Sequence, residues 1–209
     1  MNNDHLEYQI FTFFVNALDF GLAQTRKRFL MIGVLRDVLG NDKFTLEYAG
    51  NSPVTLFDVI GHLPPPPDDF IEHSDYPNHI RSKISELSKK RFAFVPPGGG
   101  WESIPFHLRL PCHQRMKPSS GWRDVFGRLE WDKPCPTITS GFSTLTKGRF
   151  GHPHQHRPLT PREAACLQGF DDQFRFYGTK RDICLQIANA VPPPIAHAVG
   201  KEIIRIINK

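Results

Sequence analysis

The sequence predicts an α/β fold that combines an incomplete sheet edge with a small, irregular, mostly-β domain. Two apolar strands, 9–18 and 29–35, predict the sheet edge, because a two-stranded unit is marginal in water and needs a larger sheet to pair with. Runs of proline and glycine through the middle of the chain predict the irregular domain. With 209 residues, the chain is long enough for one domain or two small ones.

The two N-terminal strands are rich in β-branched and aromatic residues and are separated by a polar loop, 21–27. Apolar runs of this kind usually lie inside a larger sheet. In the middle, the segments 64–67 and 96–100 interrupt regular structure, and a helix is predicted between them over 78–91. Short strands and loops are expected over 101–158. Three tryptophans are expected to anchor that region: Trp101, Trp122 and Trp131.

Three helices are predicted near the C-terminus. Thr160 to Glu163 forms a capping box with proline at the first helical position, and Gly169 can end that helix. Thr179 followed by Asp182 can cap a second helix, and the last helix follows the prolines at 192–194. Its apolar residues lie on one face at helical spacing: Ile195, Val199, Ile203 and Ile206.

The basic residues concentrate in one segment. Between Arg115 and Arg157 there are eight basic and three acidic residues, an excess equal to the net charge of +5 of the whole chain. A basic stretch confined to one region is typical of proteins that bind a phosphate backbone. A solvated basic loop region would produce the same count, so charge alone leaves both interpretations open.

Four cysteines without a C-x-x-C pair or a zinc-like spacing indicate reduced thiols and a cytoplasmic location. The N-terminal residues show the pattern of neither a signal peptide nor a membrane span. His152, His154 and His156 alternate, but Pro153 interrupts them, and we predict no metal site.

Three stretches, in order along the chain, resemble motifs of the DNA (cytosine-5) methyltransferase family. The first, 16–33, resembles its Gln-x-Arg-x-Arg motif; 157–170 resembles the motif that ends Leu-Gln-Gly-Phe; and 186–200 resembles Gln-x-Gly-Asn-x-Val. Ala188 stands where the family usually has glycine. Between them, 131–141 resembles the Pro-x-x-Thr segment of the family's target-recognition region. The resemblance covers nearly the whole chain and corresponds to the family's C-terminal half.

This resemblance implies a division of the chain into three parts. Residues 1–40 would form edge strands of a Rossmann-like methyltransferase sheet in the catalytic domain. Residues 41–179 would form the small target-recognition domain, and 180–209 would return to the catalytic domain. The implied function is cytosine-5 methylation of double-stranded DNA with S-adenosylmethionine, as in DNA methylation by restriction-modification systems.

The resemblance also implies site residues. Arg28 would hydrogen-bond the O2 atom of a cytosine flipped out of the duplex, and Arg26 would contact the neighbouring backbone; we assign both to the catalytic set. Because the two arginines lie two residues apart, both side chains can face one way. Asn189 and Val191 resemble the segment that closes the S-adenosylmethionine pocket.

The recognition region is expected to contact guanine edges or phosphates. The predicted DNA-binding residues are Gln24, Arg123, Arg128, Ser140, Gly141, Phe142, Ser143, Lys147 and Arg149. Two conspicuous charged residues are expected to be structural instead: Glu163 caps its helix, and Arg162 braces the recognition domain.

No catalytic cysteine is identified in the sequence. In the family, a thiolate adds at carbon 6 of cytosine and thereby makes carbon 5 nucleophilic. That cysteine lies in a Pro-Cys-Gln motif that precedes Gln-x-Arg-x-Arg, whereas Cys112 and Cys135 follow it and are expected to be incidental. The family's Glu-Asn-Val and Phe-x-Gly-x-Gly motifs are not found either.

We therefore expect an incomplete cofactor pocket and no activity from this chain alone. The expected partner is a separate chain that carries the catalytic cysteine and the cofactor loop. A naturally split enzyme, an interrupted gene and an expressed fragment would each fit this expectation. The alternative is a non-catalytic, sequence-specific DNA-binding remnant or specificity subunit.

Overall fold

The computed structural model describes residues 7–50, 54–116 and 124–208. Its longest sheet element is an antiparallel hairpin of β1 (Tyr8–Asn16) and β3 (Lys27–Leu35). The register pairs Tyr8 with Leu35 at one end and Asn16 with Lys27 at the other. Both strands predicted from the sequence are therefore confirmed, with bounds shifted by about two residues, as is usual for pattern-based boundaries.

Two further sheets are short and parallel. β2 (Gln24–Thr25) pairs with β5 (Cys135–Pro136), and β4 (Gly127–Arg128) pairs with β6 (Arg149–Gly151). The expectation of a mostly-β small domain is therefore wrong for the described residues of that region, where helices and irregular segments dominate. Proline supplies no N–H to a β-ladder, and Pro136 already ends β5.

Seven α-helices occur in the described residues. They are α1 (Arg36–Leu39), α2 (Leu56–Ile60), α3 (Glu86–Ala93), α4 (Pro111–Gln114), α5 (Pro161–Leu167), α6 (Lys180–Asn189) and α7 (Pro193–Ile207). The longest, α7, has 15 residues. Within the described ranges, no helix combines the length and the apolar composition needed to cross a membrane.

The helix predicted over 78–91 is only partly correct, because α3 begins at Glu86 with Ser85 as its N-cap. Asn78 has a left-handed backbone, with φ of +62°, which interrupts helical structure. Its buried amide donates to the Phe176 carbonyl at 3.1 Å and accepts from the Phe176 N–H at 2.8 Å. These distant hydrogen bonds hold the segment before Ser85 in an irregular conformation.

The capping box predicted at the start of α5 is confirmed. The Glu163 carboxylate accepts from the Thr160 N–H at 2.8 Å, and Thr160 Oγ1 accepts from the Glu163 N–H. Arg162 is fully buried and donates to the carbonyl oxygens of Pro77, Asp171 and Phe174. Its guanidinium thus ties α5 to two loops, which confirms the predicted bracing role.

The other two C-terminal helices are confirmed as well. Thr179 and Asp182 form the capping box of α6. On α7 the inward face differs slightly from the predicted one: Ile195 and Ile206 are buried, whereas Ile203 is 41% exposed. The buried positions of α7 are Ile195, Ala198, Glu202 and Ile206.

Three apolar cores organise the described residues. The first surrounds α2, α5 and α6, the second lies between the hairpin and α7, and the third contains Phe92 and the fully buried Trp101. Trp131 packs at the margin of the first core, and Trp122 lies outside the described residues. Packing crosses both predicted domain boundaries, since Phe44 packs with the hairpin and Ile187 of α6 packs with α5.

Candidate functional site

A buried set of polar groups joins the three stretches that carry the sequence resemblance. Gln24 is fully buried and donates to the Leu167 carbonyl at 3.1 Å and to Gln168 Oε1 at 3.0 Å. Its own Oε1 accepts from the Ile138 N–H at 3.0 Å. Gln168 Nε2 in turn donates to the Ile187 carbonyl at 2.7 Å. We call Gln24, Arg26 and Gln168 the polar hub.

Arg26 completes the polar hub. Its guanidinium donates to the Ile138 carbonyl at 3.2 Å and to the Ala188 carbonyl at 2.9 Å. Burial, and secondarily the positive charge of Arg28, lower the pKa of Arg26. Ala188 contributes a backbone oxygen rather than a side chain, so alanine in place of the usual glycine is compatible with this contact.

Two threonines hold the same region together across the β2–β5 pair. Thr25 Oγ1 donates to the Cys135 carbonyl at 3.2 Å, and Thr137 Oγ1 donates to the Thr25 carbonyl at 2.8 Å. The Pro-x-x-Thr segment is therefore fixed directly beside the Gln-x-Arg-x-Arg segment. Neither threonine was assigned a role from the sequence, although Thr137 lies in the segment that resembles Pro-x-x-Thr.

Arg26 and Arg28 do not face the same way. The chain turns between β2 and β3, so Arg26 points into the polar hub while Arg28 lies at the exposed start of β3. The Arg28 guanidinium donates to the Lys27 carbonyl at 2.7 Å and borders a shallow cavity of about 470 Å³ with Phe14 and Asp19. The same-face expectation is wrong because these residues do not form one continuous strand.

A larger cleft of about 660 Å³ lies beside β2 and β5. Apolar atoms make up most of its lining, and polar side chains also border it, among them one carboxylate: Thr25, Asp124, Thr137, Thr139, Thr146, Lys147 and Arg149. Lys147 is exposed. The Arg149 guanidinium is partly engaged, donating to the carbonyls of Gly98 and Gly99 and to Asp124. Hydroxyl and cationic donors of this kind suit contacts with nucleic-acid oxygens.

Four of the residues predicted to bind DNA are buried: Gln24, Arg128, Gly141 and Phe142. The Arg128 guanidinium donates to carbonyls of Phe92, Val95 and His152 and lies 3.9 Å from the centre of the Phe92 ring. Burial lowers its pKa to about 10. These contacts occupy the donors that a phosphate would need, which argues against direct DNA contact by Arg128.

The remaining predicted residues differ in exposure. Ser140 and Lys147 are exposed, and Ser143 is half-buried. Arg123 lies outside the described residues. Thus Ser140, Ser143 and Lys147 retain surface that a ligand could reach, while Phe142 and Leu145 anchor the same loop in the protein interior.

The alternating histidines lie in different environments. His152 is buried, and its Nδ1 accepts from the N–H groups of His154 and Gln155. Burial lowers the pKa of His152 to about 4, while His156 Nδ1 contacts Arg128. Across the described part of the chain, no group of three His, Cys, Asp or Glu residues is placed to hold a metal ion.

Cys112 and Cys135, whose neighbours in sequence partly match Pro-Cys-Gln, differ in exposure. Cys135 is fully buried, and burial raises the pKa of its thiol, which opposes formation of a nucleophilic thiolate. Cys112 is exposed on the short helix α4.

Asn189 and Val191 lie at the junction of α6 and α7. Both are exposed, and the hydrogen bond from Arg26 to the Ala188 carbonyl fixes the backbone immediately before them. A cavity of about 500 Å³ lies against the start of α7, bordered by Phe20, Tyr48 and Pro193. An asparagine amide can both donate to and accept from a polar ligand.

Comparison with known proteins identifies the class to which this fold and site belong. Residues 2–205 match the C-5 cytosine-specific DNA methylase family, and the chain belongs to that family.

Individual relatives agree with this assignment. The chain is 31% identical over 208 residues to the type II methylase M.HgiDII of Herpetosiphon aurantiacus, covering 98% of this chain and 58% of the relative. It is 29% identical over 208 residues to the type II methyltransferase M.Sau96I of Staphylococcus aureus, covering 97% of this chain and 44% of the relative. The chain therefore spans about half the length of these curated relatives.

A solved structure shows the same fold. A crystal structure described as that of a DNA modification methyltransferase encoded within an E. coli prophage aligns with a TM-score of 0.67 at 24% sequence identity. The alignment covers 97% of this chain and 62% of that chain.

Proposed function

We propose that this chain takes part in cytosine-5 methylation of double-stranded DNA, supplying target recognition and part of the base and cofactor pockets. The thiolate that adds at carbon 6 is supplied by the rest of the enzyme, on a second chain or on a longer form of this one. In this proposal, the chain described here transfers no methyl group by itself.

The exposed face of the hairpin is the observation that carries the proposal. The outward side chains of β1 and β3 are largely apolar, with Phe14 85% and Met31 64% exposed, and Tyr8, Ile10 and Phe29 about half exposed. The opposite face of the hairpin already packs against Phe44 and α7. A hairpin that is apolar on both faces is typical of strands buried within a larger sheet assembly. A stand-alone DNA-binding remnant would have no need of this surface.

Arg28 is proposed to hydrogen-bond the O2 atom of the flipped cytosine. Its exposed guanidinium is compatible with that role, because a planar cation is a strong donor to a carbonyl oxygen. Arg26 is proposed as a positioning residue, since its donors reach the backbones of residues 138 and 188 rather than the surface. Gln24 is assigned to the same positioning set, in place of the DNA contact expected from the sequence.

Asn189 and Val191 are proposed to hold one side of S-adenosylmethionine, the methyl donor of the reaction. Their fit rests on an exposed amide and an exposed apolar side chain, on backbone that Arg26 holds in place.

The test is a methyl-transfer assay with radiolabelled S-adenosylmethionine and duplex DNA. This chain is compared alone and together with the polypeptide encoded immediately before it. The expected result is 5-methylcytosine in the DNA only when both are present. Transfer by the chain alone, or a neighbouring frame without a Pro-Cys-Gln segment and no product on mixing, would contradict the proposal.

The matched variants are Arg28→Ala and Lys27→Ala, because both side chains are exposed cations at the start of β3. Arg28→Ala is expected to lower kcat/KM by about 100-fold, the loss typical of removing one transition-state donor. Lys27→Ala should stay within about threefold of the unmodified chain, because exposed charges contribute little. Equal losses in both variants would show a general charge effect instead of base recognition.

A further inference from the structure

A second cationic cleft lies on the far side of Lys147 from the threonine-lined cleft. It has a volume of about 540 Å³ and lies between the loop 140–147 and the first two turns of α6. Its lining contains three cationic and three hydroxyl side chains and no carboxylate: Lys147, Lys180, Arg181, Ser140, Ser143 and Thr144. Lys180 and Arg181 are not among the site residues predicted from the sequence.

The two walls of this cleft are held at a fixed separation. Phe142 and Leu145 are buried and anchor the loop, with the half-buried Ser143 and Thr144 between them and the exposed Ser140 before them. Across the cleft, the Cys184 thiol donates to Ser143 Oγ at 3.6 Å, which joins α6 to the loop. The cleft is therefore formed before any ligand binds, which reduces the ordering required on binding.

The electrostatics of the cleft favour an anion. The first turn of α6, a helix of ten residues, adds its positive dipole end to the side chains of Lys180 and Arg181. Burial lowers the pKa of Lys180, so an anionic neighbour would offset an existing desolvation cost. The neighbouring Asp182 carboxylate is already engaged, because it accepts from the N–H of Thr179 at 3.0 Å and from its hydroxyl at 2.6 Å.

A phosphate fits this donor set better than a base edge does. The lining cations can only donate, and hydroxyls readily do the same. Such a lining suits phosphate oxygens in any DNA sequence, whereas among major-groove base edges it chiefly suits the O6/N7 edge of guanine. Phosphate oxygens accept from lysine, arginine, serine and threonine alike. Lys147 borders both clefts, so an anion held here would lie next to the cleft that contains Thr25 and Thr137.

We propose that this second cleft binds a phosphate of the DNA backbone, with Arg181 and Lys147 as its principal ionic contacts. The inference deepens the proposed function by naming a DNA contact outside the recognition region, on α6. It requires DNA binding but no methyl transfer, so the two proposals fail in different experiments.

The test measures binding of a fluorescently labelled duplex by the full chain across a series of chloride concentrations, starting at low salt. Each lost phosphate contact should reduce the slope of log affinity against log salt by about 0.9. Arg181→Ala and Lys147→Ala are each expected to show this reduction, with equal losses on duplexes of unrelated sequence. The charge reversal Arg181→Glu should weaken binding further.

Arg36→Ala is the matched control, because Arg36 is an exposed arginine that follows the last residue of β3. Seven strand residues, 29–35, separate it from the end of the Gln-x-Arg-x-Arg segment, a distance of about 26 Å. Its salt slope should equal that of the unmodified chain. Circular dichroism checks that α6 remains folded in the Arg181 variants.

Three results would overturn the inference. The first is an unchanged salt slope in both alanine variants, or no duplex binding by the unmodified chain even at low salt. The second is a loss confined to particular DNA sequences, which would indicate base reading. The third is a reduction of the salt slope in Arg36→Ala equal to that in Arg181→Ala, which would indicate a general charge effect instead of a phosphate contact in the cleft.

Discussion

Replacing Glu163 with glutamine removes one charge from a buried ion pair and leaves the side chain nearly the same size. Glu163 is 2% exposed and accepts two hydrogen bonds from the Arg157 guanidinium, at 2.8 and 2.6 Å. Burial by itself would raise the pKa of Glu163, but the charge and hydrogen bonds of Arg157 more than offset it and lower that pKa to about 2. The Glu163 carboxylate is therefore ionised throughout the neutral range.

The size of the expected loss in unfolding free energy depends on Arg157, which remains buried in the variant. Arg157 is 4% exposed, so in Glu163→Gln its charge stays buried without a counter-ion. Removing one partner of a buried pair costs about 3–5 kcal/mol, and we expect the lower end because glutamine retains one oxygen acceptor. For a chain of this size, a loss of about 3 kcal/mol lowers the Tm by about 6–12 °C.

The assay is urea unfolding followed by circular dichroism, with Asp182→Asn as control. Asp182 occupies the same capping-box position on α6 but is exposed, so its replacement removes a cap and no buried charge. We expect a clearly smaller loss of unfolding free energy for Asp182→Asn. Equal losses for the two variants would refute the reasoning, because they would show that only the cap contributes.

Three further predictions follow from the described contacts. Burial lowers the pKa of His152 to about 4, so the unfolded chain takes up a proton at higher pH than the folded chain does. The stability that depends on neutral His152 should therefore be complete above about pH 6.5 and decline towards pH 4. His152→Gln should reduce this pH dependence of the unfolding free energy, measured by urea unfolding. Gly151→Ala would place a methyl group 2.0 Å from the Phe92 ring and should destabilise the chain by about 1–3 kcal/mol. Gly200→Ala, on α7, meets open space and should stabilise the chain by up to about 1 kcal/mol. Similar unfolding midpoints for the two variants would contradict this difference. Isothermal titration of this chain alone with S-adenosylmethionine should give no measurable heat of binding, and tight binding would contradict the incomplete pocket.

Features set by neighbouring residues were predictable from the sequence. The hairpin strands follow from runs of β-branched and aromatic residues, and the starts of α5 and α6 follow from capping boxes whose members lie three residues apart. The bracing by Arg162 was also predicted correctly, and its donors reach three backbone carbonyls.

Features that depend on distant partners were not predictable. Asn78 leaves helical structure because its amide pairs with Phe176, 98 residues away. Arg128 lies in the basic segment and carries charge like its neighbours, but carbonyls from two separate loops enclose it. Composition identifies a charged side chain, whereas only the assembled fold determines whether solvent or DNA can reach it. The roles of Lys180 and Arg181 depend in the same way on the loop that packs opposite them.

The polar hub holds residue 138 by its main chain. Gln24 accepts from the N–H of residue 138, and Arg26 donates to the carbonyl of that same residue. The side chain of residue 138 takes no part in these two hydrogen bonds. Thr25 likewise reaches the carbonyl of residue 135. An attachment of this kind tolerates sequence exchange beyond it. The corresponding segment of another member of the family could be transplanted here, provided that its backbone follows the same path past β2.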